Sequence, residues 1–231
     1  MHVPDGFLDG PTSLATAGVA VVAVAGALRG SRRELDERTA PLAGLVAVFV
    51  FAAQMINFPV GAGTSGHLMG GVLAAVLVGP WTATLVLTVV LLVQALFFAD
   101  GGLTALGTNV TLIAVVAVWV GYGVFRIIQS LTARSPRAIP VAAAVAALVS
   151  VPAAALVFAG LWAVGGAAPI DLGLLTTTMV GWHTLIGVGE AVITALAVSA
   201  IMATRPDIVY AARHLVSQRP LQVRTGEQVA S

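Results

Sequence analysis

The sequence predicts an all-α membrane protein with seven transmembrane helices, and three observations carry that class. Of 231 residues, 58 % are hydrophobic and only 9 % are charged, whereas soluble domains run near a quarter charged. The apolar residues fall into long runs that lack the alternation of barrel strands. All 11 basic residues are arginine, and they fall in alternate connecting segments. The net charge of +1 gives no basis for nucleic-acid binding. The absence of cysteine excludes a disulfide framework, a thiolate site and a zinc knuckle.

Taken in order, residues 1–11 are polar and turn-rich, with Pro4, Gly6, Gly10 and Pro11. The start lacks a basic n-region, and Pro4, Asp5, Gly6 and Asp9 interrupt any early apolar run, so no cleaved signal peptide is expected. The first span covers about 12–29 and ends in the charged loop from Arg29 to Arg38. Pro41 suits the first turn of a second span, about 41–57. Asn57 to Gly66 is a Gly- and Pro-containing break. A third, short span covers about 67–78 and stops at Gly79-Pro80. The fourth, about 81–98, stops at Asp100-Gly101-Gly102. The fifth covers about 106–128 and the sixth about 138–164, with Pro152 as an expected kink. The seventh covers about 174–203. One transmembrane domain thus occupies residues 1–204, and 205–231 is expected to be a flexible cytoplasmic tail.

Seven spans with the N-terminus outside place Arg29, Arg32, Arg33 and Arg38 in the first inner loop, and Arg126, Arg134 and Arg137 in or beside the third inner segment. Arg205, Arg213, Arg219 and Arg224 fall in the tail. No basic residue falls outside, as the positive-inside rule requires. The outer segments carry only Asp5, Asp9, Asp100 and Asp171. His214, in the inner tail, reads as solvated surface.

The first residues, Met1-His2-Val3-Pro4-Asp5-Gly6-Phe7, are the chemically richest stretch. A histidine at position two supplies three nitrogens in a row: the α-amine, the His2 amide nitrogen and the His2 imidazole. Amine and amide close a five-membered chelate ring, and amide and Nδ1 close a six-membered one. Three coplanar nitrogens leave one in-plane position, a pattern that suits Ni(II) or Cu(II), with Co(II) also accommodated. The predicted topology puts His67, at the start of the third span, on the same outer side, within reach of that position. The third run is too short to cross about 30 Å of hydrocarbon. A short helix entered through Gly63-Thr64-Ser65-Gly66 therefore leaves a cavity at its outer end. Gly66 and Gly70 also have the small-xxx-small spacing of helix contacts.

Four stretches together resemble the CbiM/NikM family, the substrate-capturing membrane subunits of energy-coupling factor (ECF) transporters for cobalt and nickel. They are Met1 to Phe7, Gly63-Thr64-Ser65-Gly66-His67, Phe98-Ala99-Asp100-Gly101-Gly102-Leu103-Thr104-Ala105-Leu106-Gly107, and His183-Thr184-Leu185-Ile186-Gly187-Val188-Gly189-Glu190-Ala191. The resemblance runs to about residue 204. It implies an ECF S-component-like fold in a prokaryotic cell membrane, with an N-terminal metal-binding loop inserted at the outer face. It also implies a metal held by Met1, His2 and His67: the Met1 amine, the His2 amide and imidazole, and the His67 imidazole. Implied partners are a transmembrane coupling subunit, ATPase subunits and a small accessory membrane subunit. Val3 stands where isoleucine is common in the family.

Other polar residues in or beside the spans are candidates for supporting roles around the ion. Gln54, Asn57, Thr64, Ser65, Gln94, Thr108 and Asn109 can orient the N-terminal loop, since metal-bound histidines donate their other N–H to such partners. Ser65, Asn57 and Asn109 lead this group. His183 and Glu190 are seven apart and share a helix face; they read as a buried hydrogen-bonded pair or as support for the ion. Asp100 reads as a turn residue. With no Gly-x-x-x-x-Gly-Lys-Ser/Thr loop, ATP hydrolysis is expected on another chain, and neither an enzyme nor a resident cofactor is expected. Ala23 and Ala27 on the first span, and Ala43 and Ala47 on the second, are small-residue pairs that suit helix contacts with a partner. A stand-alone secondary metal transporter is the alternative, but the inverted repeats such folds show are not seen.

Overall fold

The structure, a computed structural model, describes residues 1–37, 39–61 and 64–213. The expectations for Arg38, His214, Arg219, Arg224 and the rest of the tail, and Gly63 of the Gly-rich motif, lie outside the described residues.

The helices are α1 (Gly10–Gly30), α2 (Ala40–Met55), α3 (Gly71–Val78), α4 (Pro80–Phe97), α5 (Leu106–Asn109), α6 (Val118–Leu131), α7 (Ile139–Gly165) and α8 (Leu172–Thr204). A π-helical stretch, Val110–Ala117, joins α5 to α6, and together they make one rod of 26 residues. Five rods are long and apolar enough to cross a membrane: Gly10–Arg33, Pro80–Phe97, Leu106–Leu131, Pro136–Gly165 and Leu172–Thr204. The α2 helix has 16 residues and α3 only 8.

The caps follow local chemistry. Asp9 accepts from Thr12 N at 2.8 Å and starts α1, and Asp171 accepts from Leu174 N at 2.9 Å and starts α8; both satisfy amides that a helix start leaves unpaired. Pro41 lies in the first turn of α2, where its missing N–H costs nothing. The α7 helix runs through Pro152.

Around the third run the structure departs from the expectation. Helix begins at Gly71, not at residue 67, and the preceding break is a hairpin. β1 (Phe58–Gly61) pairs antiparallel with β2 (Thr64–Gly66), with an irregularity between Pro59 and Gly61. Gly70 sits at φ +75°, and a Cβ there would press on Val50 Cγ2 at 2.8 Å. Gly70 is therefore a backbone pivot, and Gly66 is a strand residue whose Cβ would press on Val60 and Ile186; the two do not form a small-residue stripe on a helix. His67 to Gly70 is irregular chain.

The α3 helix is apolar all round and buried at all eight positions, as a helix without a polar face must be. It touches α2, α4, α6, α7 and α8. Gly79, at φ +96°, separates it from α4. At 1.5 Å per residue α3 is about 12 Å long and α4 about 27 Å. Starting from the same turn, α3 ends about 15 Å short, and this shortfall is the well that the N-terminal loop and the hairpin occupy. Small residues let α7 and α8 pack closely: Ala142, Ala143, Ala146 and Ala147 are fully buried, and a Cβ on Gly187 would lie 3.1 Å from Leu148 O.

The segment after α8 is also packed, contrary to the flexible tail expected from residue 205. Val209, Ala211 and Ala212 are buried, and Arg213 Nη1 donates to Glu34 O at 2.5 Å.

Candidate metal site

The first nine residues are folded into the well and pinned along both edges. Val3 N donates to Asn109 Oδ1 at 2.7 Å, and Asn109 Nδ2 donates back to Val3 O at 3.1 Å. Gly102 N adds a bond to the same carbonyl at 3.0 Å. Asp5 accepts from Thr104 N at 2.7 Å and from its hydroxyl; that hydroxyl bond holds the Asp5 carboxyl below its ordinary value. Further along, Ala167 N donates to Phe7 O at 2.9 Å and Asp9 N to Gly165 O at 2.8 Å. Asn109 is set by the rod that carries it: Thr16 and Thr108 hydroxyls meet at 2.7 Å, and Thr111 Oγ1 donates to Thr16 O at 2.9 Å, locking that rod to α1.

This pinning buries the chain start. Met1 is 1 % exposed, His2 4 % and His67 1 %. The Met1 amine contacts His67 Nε2 directly. His67 Nδ1 donates to Leu68 O at 2.9 Å, which fixes the tautomer and leaves the Nε2 lone pair facing the amine. The His2 ring stacks on the His67 ring, with centroids 4.3 Å apart and planes inclined 28°.

His2 Nε2 donates to Gln94 Oε1 at 3.1 Å, so its Nδ1 carries the lone pair. That Nδ1 lies 3.1 Å from Asp100 Oδ1 yet without hydrogen-bond geometry, and it is a buried, unsatisfied nitrogen. A lone pair facing a carboxylate is unfavourable unless positive charge joins them. Asp100 Oδ2 in turn accepts from Asn57 Nδ2 at 3.3 Å. Burial holds the Met1 amine well below its ordinary value of 8.0, against the opposing pull of Asp100 and Glu190. Burial likewise lowers His2, against the opposing pull of the adjacent Asp100 carboxylate. Both shifts favour the neutral nitrogen, the form a metal requires.

The floor of the well is held from two helices. Glu190 accepts Met69 N at 2.7 Å on one oxygen and Gly70 N at 3.0 Å on the other. Gln54 Nε2 donates to Met69 O at 2.8 Å. The chain leaving His67 is thus clamped on both sides of one peptide, and α3, whose N-cap Gly70 has no side chain, receives its cap from α8. His183 and Glu190 do not bond to each other, which corrects the expectation of a buried pair. His183 Nδ1 donates to Met179 O at 2.8 Å, and its Nε2 is buried and unsatisfied. One turn earlier on that face, Met179 Sδ accepts from Thr64 Oγ1 at 3.1 Å, so α8 backs the hairpin and the segment bearing His67.

A cleft of about 450 Å³ reaches His2, lined by Pro4, Asn57, Thr64, Ser65 and Asp100 among others. Met1, His2 and His67 thus meet directly; Asn109 holds the adjacent Val3, Asn57 reaches the cluster through Asp100, and Glu190 holds the chain after His67. Ser65 lies on the cleft wall, half-buried, without a side-chain hydrogen bond, and His183 stands behind. The residue the sequence reading missed is Asp100: as an acid in the loop after α4 it looks like a turn former. The available signal was its position six residues after Gln94, a lone amide in an apolar helix.

The family described as cobalt uptake substrate-specific transmembrane region, CbiM, matches residues 2–208. A putative metal transport protein of Haloquadratum walsbyi is 41 % identical over 91 % of this chain and 94 % of its own length. A putative fused nickel transport protein, NikMN, of Archaeoglobus fulgidus is 42 % identical over 90 % of this chain and 68 % of its own. Among solved structures, a transition metal transporter superposes with a TM-score of 0.81 at 32 % identity, covering 88 % of this chain and 93 % of that one. With the family match spanning nearly the whole chain and the fold shared, this multi-pass membrane protein belongs to the CbiM family of substrate-specific transmembrane components.

Proposed function

We propose that this chain is the substrate-binding (S) subunit of an ECF-type importer for Ni(II) or Co(II). The ion is captured at the outer face by four nitrogens: the Met1 amine, the His2 amide, His2 Nδ1 and His67 Nε2. The observation that carries this reading is the convergence, in one buried well, of the chain-terminal amine, the His67 Nε2 that it contacts, and the unsatisfied Nδ1 of His2. The family's cobalt-uptake description and the nickel transport named for the Archaeoglobus relative agree with it. First-row affinity at nitrogen donors places nickel ahead of cobalt.

In this reading the ion passes the Asp100-lined cleft, which attracts cations. His2 then turns its Nδ1 from Asp100 into the chelate plane, and its deprotonated amide completes both rings. His67, already oriented by Leu68 O, fills the fourth position. Asn109 and Gly102 fix Val3 so that the chelate forms at one depth. Glu190 and Gln54 fix the peptide after His67. The hairpin, the irregular segment and α3 together make the third of seven crossings, with the N-terminus outside and the arginine-rich segments in the cytoplasm of a prokaryotic cell. ATP is hydrolysed on separate ATPase subunits, joined through a transmembrane coupling subunit and a small accessory membrane subunit.

The test is to block the amine. Acetylating Met1, or adding one residue before it, leaves every side chain in place but converts the amine to an amide. High-affinity binding to the purified chain and uptake of labelled nickel or cobalt should both vanish, with membrane insertion normal. An extended chain that binds and transports like the original would remove the amine from the site.

A further inference from the structure

The opposite end of the bundle carries a second cavity, of about 500 Å³, between α1, α4 and α6. Arg29 and Arg33, from the end of α1 and the turn after it, line it together with Arg126 of α6. Among the described residues the arginine ion pairs are Arg205–Asp207 and Arg213–Asp36, so none neutralises these three. Arg29 makes one long contact to Ala25 O at 3.5 Å, and Arg126 lies 6.0 Å over the Tyr122 ring.

The wall beside them is aromatic. Trp81 and Trp119 meet edge to face at 4.4 Å, and Trp119 Nε1 donates to Thr84 Oγ1 at 3.2 Å. The lining contains one acid, Glu34, and its carboxylate is already engaged. It accepts from Trp81 N at 3.2 Å, Thr82 N at 2.7 Å and Thr82 Oγ1 at 2.9 Å, capping α4. Three exposed arginines therefore line the cavity beside an aromatic wall, with the opposing charge buried at a helix start.

The position narrows the ligand. Gln94 and Asp100 mark the metal end of α4, and Trp81 marks the other. The helix between is about 27 Å long, close to the thickness of a bilayer's hydrocarbon. The cavity thus sits at headgroup depth on the far side, where tryptophan and tyrosine belong and arginines reach towards phosphate. Leu28 and Ile127, next in sequence to Arg29 and Arg126, are 57 % and 61 % exposed, so the helices that carry these arginines also present apolar side chains suited to acyl chains.

From this we infer that the cavity binds the headgroup of an anionic phospholipid, its phosphate held by Arg29, Arg33 and Arg126. A soluble anion or an acidic protein segment would use the arginines but not these apolar side chains. The inference does not rest on the metal reading.

Trp81 and Trp119 are built-in reporters. The purified chain is reconstituted in vesicles of phosphatidylcholine and phosphatidylglycerol, in which one lipid or the other carries brominated acyl chains that quench tryptophan on contact. Brominated phosphatidylglycerol should quench more than an equal mole fraction of brominated phosphatidylcholine. The apparent preference should be about tenfold, the scale of basic side chains meeting anionic headgroups. Trp162 and Trp182, at the metal end against Phe7 and Phe58, give a background common to both lipids. The combined R29Q/R33Q/R126Q variant should lose the preference while still binding metal, and R29K/R33K/R126K should retain most of it. If the glutamine variant does not fold, the wild-type and lysine measurements decide alone. Equal quenching by the two lipids would overturn the proposal and leave an acidic partner segment as the occupant. Relief of quenching by inorganic phosphate, against sodium chloride of equal ionic strength, would also overturn it, in favour of a free anion.

Discussion

Asn109 makes the sharpest quantitative demand. Its amide exchanges two hydrogen bonds with the Val3 backbone, at 2.7 and 3.1 Å, 106 residues away in sequence. In Asn109→Ala, Val3 O keeps its bond from Gly102, but Val3 N–H is buried with no partner. Stranding a buried donor costs about 1–3 kcal/mol, and the second lost bond about 0.5–1.5 kcal/mol. If water reaches the vacated space, the lower ends apply. The docked loop should therefore lose about 2–4 kcal/mol. Because the Met1 and His2 nitrogens reach His67 only when the loop is docked, that loss passes into metal affinity as a fall of about 30- to 900-fold. Titration calorimetry of Ni(II) and Co(II) into the purified variant measures it, with circular dichroism as the check on fold. Thr108→Val is the control: it removes a neighbouring buried hydrogen bond, to Thr16, without touching the loop, and should cost less than about fivefold. An Asn109→Ala affinity within threefold of the original, or an equal loss in Thr108→Val, would refute the coupling of loop docking to binding.

Three further expectations test other parts of the site. His67→Ala should abolish tight binding, whereas His183→Ala, which removes a ring bonded to Met179 O, should keep one ion per chain; lost stoichiometry in the second variant would make His183 a ligand. Burial lowers the Met1 amine from 8.0 and His2 from 6.5. Each shift favours the neutral donor, so the His2 amide is the group that releases a proton on binding. Affinity should therefore fall about tenfold per pH unit from pH 8 to 6.5; a fall approaching a hundredfold per unit would mean an ordinary, solvated amine that releases a second proton. Cysteine placed at exposed Leu103 should react with an impermeant reagent outside whole cells while one at Ser135 is spared. The reverse pattern would invert the topology.

The class of the molecule was legible because lipid imposes it. Seven apolar runs and an arginine-only basic complement are read by counting, and each run contains a helix. Length was less legible, because the third run spends its first residues outside the helix. Gly70 can take φ +75° at no cost, and a string such as Phe58 to Gly66 carries no periodicity that distinguishes a small hairpin from a loop. The chain start was legible because its chelate chemistry is local: amine, amide and imidazole are adjacent in sequence. Most of the clamps were not, since Asn109 lies more than a hundred residues from Val3 and Glu190 more than a hundred from Met69 and Gly70. Their identity emerges only when the helices pack. Asp100 illustrates the difference. In sequence it is an acid before two glycines; in space it is the oxygen nearest an unsatisfied imidazole.

Residues 1–9 are synthesised before the partners that hold them and are among the last to find their places. Val3 waits for Asn109, Asp9 for Gly165, and the peptide after His67 for Glu190. Closing contacts at such separations is slow compared with forming the helices themselves. The loop and its clamps therefore come together only after most of the chain has been inserted. A chain that stops before α8 has both histidines but lacks the carboxylate that holds the peptide after His67. On the proposed reading, capture of the ion would be reserved for chains in which α8 is in place.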